Sequence, residues 1–316
     1  MPLSLLQRLR PADAGMLLMA LAMFLIPMMD ASAKYLSQWL SAVQIVAARF
    51  ALQSLFIAII LIGQRRLQSW PGHGGWLCAS GVSIALAIVA LVEGLHHMPL
   101  ANAIAIFFIE PLLLMLLSAW LLKEHISRDR YLAVLAGLAG ALIVIRPNWS
   151  TYGWVVLLPA LAALGYAIHF ISIRHLAGQV DGLSLQFWNG LIATLVALLL
   201  LGSGLFSDWS LISWQPMAWT QAGWLVLMGA LSALTYMLIN AAFKRTEAGV
   251  LAPFQYLEII GATTLGYLVF GDLPDALTWL GTALILMSGL YIVRHGRQHS
   301  AGSNKVKHLG VKHPDV

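Results

Sequence analysis

Ten stretches of mostly apolar residues run along the chain, at about 14–35, 42–63, 75–95, 99–122, 130–146, 152–173, 183–205, 217–242, 247–270 and 276–293, with short polar segments between them. A helix needs about 20 such residues to cross about 30 Å of hydrocarbon, so each stretch predicts a membrane span. The runs are too long for strands and lack alternation of period two. The most uniformly aliphatic run is Leu191 to Leu201, and the least defined boundary is 206–216, where FSDWSLISWQP reads as an interfacial turn. A cleaved signal peptide is the competing reading of the first span. Arg8 and Arg10 precede it, and Ala31-Ser32-Ala33 has a small-residue cleavage pattern. Asp30 and the length of the run argue for a retained helix.

Composition agrees. Of 316 residues, 60% are hydrophobic and 10% charged, with a mean hydropathy of +0.82. An ordinary soluble domain carries about 25% charged residues, so this is an integral membrane protein. The single cysteine, Cys78, excludes an intramolecular disulfide and a cysteine-cluster metal site. The basic excess, 18 Lys and Arg against 13 Asp and Glu, reads as membrane orientation rather than nucleic-acid binding. With a cytoplasmic N-terminus, 15 of the 18 fall on cytoplasmic segments. Lys34 and Arg146 fall at outer ends, and Arg49 lies inside span two. Ten spans then leave both termini in the cytoplasm. Residues 295–316 are polar and basic, and are expected to be a disordered cytoplasmic tail.

The two halves resemble each other. A shift of 148 residues sets Glu110 on Glu258, Leu117 on Leu265, Glu124 on Asp272 and Arg146 on Arg294. EPLLLMLLSAWLLKE then aligns with EIIGATTLGYLVFGD without a gap. Further upstream, a shift of 140 sets Arg49 on Asn189, and one of 138 sets Gly15 on Gly153. Five spans per copy is an odd number, so the second copy enters the membrane from the opposite side. The loops agree: KEHISRDR after span four is rich in basic residues, and GDLPDALT after span nine has none. Inverted repeats mark secondary transporters, with substrate bound near the midplane between the halves.

Two five-span repeats in about 300 residues, Lys34 late in span one, ARF at 48–50 in span two, and a KE or GD turn after spans four and nine resemble the drug/metabolite transporter superfamily. Within it, the chain is most similar to the EamA-type ten-helix carriers. The resemblance covers about residues 14–294. It implies an all-α integral membrane fold of ten transmembrane helices, arranged as two inverted five-helix repeats at 14–146 and 152–294. It also implies a central cavity, alternating access and no ATP-binding domain, and the sequence holds no GxxxxGK[ST] motif. The expected place is a bacterial inner membrane. The stretch IFFIEPLLLMLLSAWLLKE most resembles the bacterial riboflavin transporters, so uptake of riboflavin is the leading expectation. Relatives also move amino acids and S-adenosylmethionine, which leaves an exporter or exchanger of such metabolites as the alternative.

Charges inside a membrane are expensive and need a reason. Glu110 and Glu258 are repeat-related and lie near the middle of their spans. They either bind substrate or couple protons in a polar cavity, or they are neutral carboxyls bonded to a neighbour. Pro111 and Pro253 nearby each free a carbonyl one turn back, which is tolerable where it lines a cavity. Asp30 and Lys34, four apart on one face, are spaced for an ion pair, and Lys34 also has the reach to snorkel to the interface. Arg49 is expected to neutralise a carboxylate such as Asp30 or Glu93, or else to bind an anionic group of the substrate. His169 is a cavity hydrogen bonder or a packed histidine. Glu93 and His97 are spaced to pair, while adjacent His96 and His97 point different ways, so no metal site is expected. Phe107, Trp188, Asn189, Phe254 and Tyr256 lie next to these groups and would suit a flat ring system. Trp39, Trp70, Trp149, Trp209 and Trp214 fit an interfacial belt. The small residues of AGLAGA (136–141) and around Gly281, Ser288 and Gly289 form close-packing faces or a homodimer surface.

An intramembrane enzyme is the alternative of another class. The sequence holds no GxSxG, no HExxH and no nucleophile or ligand set near the carboxyls, so neither catalysis nor a cofactor is expected. The expected partners are a small-molecule substrate and the lipid bilayer, with no nucleic acid.

Overall fold

The computed structural model describes residues 11–65, 70, 74–121, 128–176, 179–204, 212–246 and 251–291. The turn at Glu124 and the tail at 295–316 lie outside them. The described residues hold helices and turns and no strand. The helices are α1 (Pro11–Leu36), α2 (Ala42–Gly63), α3 (Gly74–His97), α4 (Leu100–Phe107), α5 (Glu110–Leu121), α6 (Arg128–Tyr152), α7 (Leu157–Leu176), α8 (Gly182–Gly204), α9 (Trp219–Phe243), α10 (Leu257–Phe270) and α11 (Ala276–Tyr291). Helices α4 and α5 together form span four. Among the described residues, seven spans are long and apolar enough to cross a membrane by themselves. The other three are the shorter apolar stretches of α6 and α11 and the broken span nine.

Local sequence explains several boundaries. Ser41 caps α2, its Oγ accepting from the Gln44 N–H at 3.3 Å. Helix α6 runs past the expected end at 146 to Tyr152, and Gly153 at φ +62° then turns the chain into α7 through a 3₁₀ turn. The expected interfacial turn before span eight is non-helical over 213–218. There the Gln44 side chain bonds both the N–H and the carbonyl of Gln215.

The packing obeys a two-fold rule. Helix α3 packs on α7, and α9 packs on α1 in the same relation five spans on. Likewise α9 against α2 matches α3 against α8, and α10 against α1 matches α5 against α7. The pairs α2 with α8 and α4 with α10 map onto themselves. One core cluster is built on α1, α2, α3, α8 and α9, and another on α1, α3 to α7, α10 and α11. The chain is therefore an all-α membrane protein of ten spans in two inverted five-helix repeats. The small faces of α6 and α11 pack on each other, with Gly140 against Gly281, so within the chain they serve close packing.

Candidate functional site

Both central spans are broken at repeat-related positions. Pro111 has no N–H, so the Phe107 carbonyl loses its helical partner. The Ile109 N–H instead bonds Ile106 O at 3.2 Å in a tighter turn, and α5 begins at Glu110. In span nine a 3₁₀ turn, Ala252–Tyr256, with proline at its start, runs into α10, whose first turn holds Glu258. Each carboxyl thus stands at the N-terminal end of a half-helix inside the membrane. The dipole of a half-helix that starts inside the membrane favours a negative or hydrogen-bond-accepting group at that end.

These half-helix ends border one cavity of about 190 Å³. Its polar wall is Arg49, Glu110, Glu258, Gln255, Thr235 and Tyr236, and its apolar wall includes Phe107, Phe108, Tyr166, Phe170 and the α1 methionines Met19, Met23 and Met29. Glu258 is buried, and Glu110 Oε1 is buried without a hydrogen-bond partner. Phe107 meets Tyr166 edge-on with centroids 4.9 Å apart. Tyr236 lies beside Gln186 of α8. A second, more open pocket of about 290 Å³ lies between the turn at 37–42, Glu93, His96, His97 and Gln215. It lies at the end of α1 and holds neither repeat-related carboxyl.

Arg49 forms no direct ion pair with Asp30 or Glu93. Among the described residues no carboxylate lies within ion-pair distance of it. Its Nε–H donates to Ser232 Oγ at 3.3 Å, and the Ser232 hydroxyl donates to Gln53 Oε1 at 2.7 Å. Asp30 is buried and within electrostatic reach of Arg49. Lys34 bypasses Asp30 as well. Its Nζ lies 2.7 Å from Asp272 Oδ2, donates to Met98 O at 3.1 Å, and sits 4.7 Å from the Phe270 ring centre. Asp272 is held there by the end of α10. Gly271 adopts φ +72°, its N–H bonds Tyr267 O, and the Asp272 N–H bonds Gly266 O, closing a helix-ending motif that needs glycine.

Of the other expected site residues, only Phe107 lines the cavity. His169 is buried with Nδ1 2.9 Å from Ser80 Oγ. Trp188 packs on Trp70 and Phe187. Phe254 packs with α1 and α9, and Tyr256 lies against Phe108 and Gly289. Asn189 is fully buried beside the α2 contact, with neither amide atom hydrogen-bonded. The Glu93 and His97 pair forms at 3.1 Å. Sequence reasoning missed Thr235 and Tyr236. Their signal is the polar stripe Ser232, Thr235, Tyr236 and Asn240 along an otherwise apolar span.

Ten spans in inverted halves, broken at the centre around a charged cavity, are the layout of a membrane transporter. The EamA-like transporter family model matches residues 13–146 and again 153–294, and the chain belongs to that family. It is 31% identical over 285 residues to the pseudopaline exporter CntI of Pseudomonas aeruginosa (strain UCBPP-PA14), covering 89% of this chain and 96% of that one. It is 30% identical over 214 residues to a riboflavin transporter of Rhizobium johnstonii, 68% of each chain. With an S-adenosylmethionine uptake transporter of Rickettsia bellii it shares 23% over 266 residues, 84% of this chain and 88% of that one. A solved crystal structure matches with a TM-score of 0.59 at 19% identity, over 89% of this chain and 97% of its own, which is a likeness of fold.

Proposed function

We propose that the protein is a secondary carrier that moves a small organic metabolite across a bacterial inner membrane by alternating access through this cavity. The observation that carries this is the pair of repeat-related helix breaks, which bring Glu110 and Glu258 to one cavity. Lys34 and Asp272 tie the first half to the second at the end of α1. In this reading they close the outer mouth. Both termini are cytoplasmic, because that orientation places 15 of 18 basic residues inside. A topology reporter fused after Arg294 should be active only in its cytoplasmic form, and periplasmic activity there would overturn the orientation and the span count. The repeat units are 14–146 and 152–294.

Riboflavin remains a cargo reading, supported by the relatives named riboflavin transporter and by the aromatic wall of Phe107, Tyr166 and Phe170. Trp188, Phe254 and Tyr256 do not support it, since they pack elsewhere. The charged wall favours the other reading, an amino-acid-derived metabolite. At about 190 Å³ the cavity is below the about 300–1,000 Å³ that encloses drug-sized ligands, so a cargo of riboflavin's size needs a wider state. The test is counterflow in proteoliposomes preloaded with riboflavin, S-adenosylmethionine or amino acids. A carrier shows saturable counterflow with at least one of these. Flux that rises linearly with concentration and shows no counterflow would sink the proposal.

A further inference from the structure

We propose that the pocket at the end of α1 binds a proton on His96, and that this proton holds the outer mouth shut. The inference rests on the carrier reading above, in which Lys34 and Asp272 close that mouth. His96 is exposed and lines the pocket. Its Nδ1 lies 3.3 Å from the Oγ of the buried Ser37. The Ser37 hydroxyl donates its one proton to Lys34 O at 2.8 Å. It therefore meets His96 with a lone pair, so Nδ1 carries the hydrogen and Nε2 is the nitrogen that takes a further proton. From Lys34 the chain of contacts crosses between the repeats. Its Nζ donates to Met98 O at 3.1 Å and meets Asp272 Oδ2 at 2.7 Å. A charged donor makes the stronger hydrogen bond, so a proton on His96 tightens the hold of α3 on the last turn of α1. That turn carries Lys34, and parting Lys34 from Asp272 moves it.

The surrounding charges set the sign. Among the described residues α3 brings Glu93 and His97 to His96. Helix α1 brings Lys34, the turn after α10 brings Asp272 by way of Lys34, with Tyr152 and Asp275 beyond it, and the segment before α9 brings the uncharged Gln215. His97 Nε2 is 3.1 Å from Glu93 Oε1, and its ring meets His96 edge-on with centroids 4.7 Å apart. In the closed form the carboxylates Glu93 and Asp272 outnumber the Lys34 ammonium, which favours a cation on the ring. Opening takes Asp272 away. A proton held more tightly in the closed form stabilises that form in acid, and the effect is lost as pH rises through the histidine range of about 5 to 8. The same corner of the second repeat is built without histidine. The shift of 148 sets His96 on Lys244, and the shift of 140 sets Ser41 on Asp181. Ser41 caps α2, and Asp181 Oδ2 accepts the Leu183 N–H in the first turn of α8. Lys244 and Asp181 hold that corner 3.5 Å apart. Lysine and aspartate do not ordinarily change charge over the histidine range, so one end of the carrier answers to pH and the other does not.

The experiment uses the full chain with Ile26→Cys on the cavity wall and Cys78→Ser, in intact bacterial cells. An impermeant maleimide is applied outside at about pH 5.5 and about pH 7.5, on either side of the histidine midpoint. Each labelling rate is divided by that of the same chain carrying His96→Gln, which cancels the pH dependence of the thiol. Glutamine keeps a donor towards Ser37 but does not titrate. The ratio should fall roughly three- to fivefold in acid, the difference between a charged and a neutral donor. Ser37→Ala should abolish the fall, because it cuts the link to Lys34, and His97→Gln should keep it. Lys34→Asp marks the open limit. Where Ser37→Ala fails to accumulate, the comparison with the solvent-exposed His96→Gln decides alone. A ratio equal at both pH values, a fall that survives Ser37→Ala, or one that vanishes with His97→Gln overturns the inference and leaves the carrier standing. No labelling even in Lys34→Asp overturns both.

Discussion

Lys34→Asp or Asp272→Lys alone should slow counterflow severely, and the two together should restore most of it. The bridge spans the repeats, so the singles put like charges where the halves must meet, while the double rebuilds the pair in reverse. Exposed ion pairs contribute about 0–1 kcal/mol and breaking buried ones costs about 3–5. Side chains 13% and 29% exposed lie between these limits. A coupling of about 1–3 kcal/mol corresponds to a shift of roughly 5–150-fold between closed and open forms. Recovery in the double should be partial, because Asp at 34 cannot donate to Met98 O or lie over Phe270 as Lys34 does. A second readout is Ile26→Cys, on the cavity wall, in a Cys78→Ser background. The single reversals should raise its labelling by an impermeant maleimide applied at the mouth where α1 ends. Labelling and counterflow that match the unaltered protein in both singles would remove the role of this pair in closure.

What was legible in the sequence follows from how far each signal reaches. Apolar runs gave the spans, because a bilayer imposes length and apolarity residue by residue. The shift of 148 paired Glu110 with Glu258 and pointed to one shared place, because an inverted repeat carries tertiary information within a linear comparison. Partner choice was not legible. The four-residue spacing of Asp30 and Lys34 obeys a rule for isolated helices, yet Asp272, 238 positions away, is held nearer by the Gly271 turn. Arg49 was assigned a carboxylate or a substrate anion by charge alone, and only the crossing of α2 with α9 brings Ser232 to it. Of the expected aromatic wall, Phe107 lines the cavity. Phe254 and Tyr256 were placed there by adjacency in sequence to Glu258, whereas on their 3₁₀ turn Phe254 packs with α1 and α9 and Tyr256 against Phe108. Trp188 shares a helix with the buried Asn189 but faces Trp70.

Gly140→Leu and Gly281→Leu should each leave little folded protein, whereas Gly223→Leu should accumulate normally. A Cβ on Gly281 would lie 2.5 Å from the Gly140 carbonyl oxygen, and one on Gly140 would lie 2.8 Å from Gly281 O and 2.9 Å from Leu284 Cβ. Side-chain tips can swing away from such a contact, but a helical carbonyl cannot, so α6 and α11 must separate along their length. In a bilayer that separation is not resisted by water. Helices associate there largely through close packing of small residues, so the loss of contact is uncompensated. Overpacking a soluble core costs about 1–3 kcal/mol. A leucine at a backbone-to-backbone crossing should exceed that range and take a large share of the about 5–15 kcal/mol that separates folded from unfolded protein. Gly223, in the first turns of α9, meets nothing within 4 Å of an added Cβ, so its leucine variant tests for any general effect of bulk. The measurement is the amount and monodispersity of detergent-extracted protein on size exclusion. If Gly140→Leu elutes as a sharp peak at the level of Gly223→Leu, α6 and α11 are not locked at this crossing, and their small faces become available for a second copy of the chain.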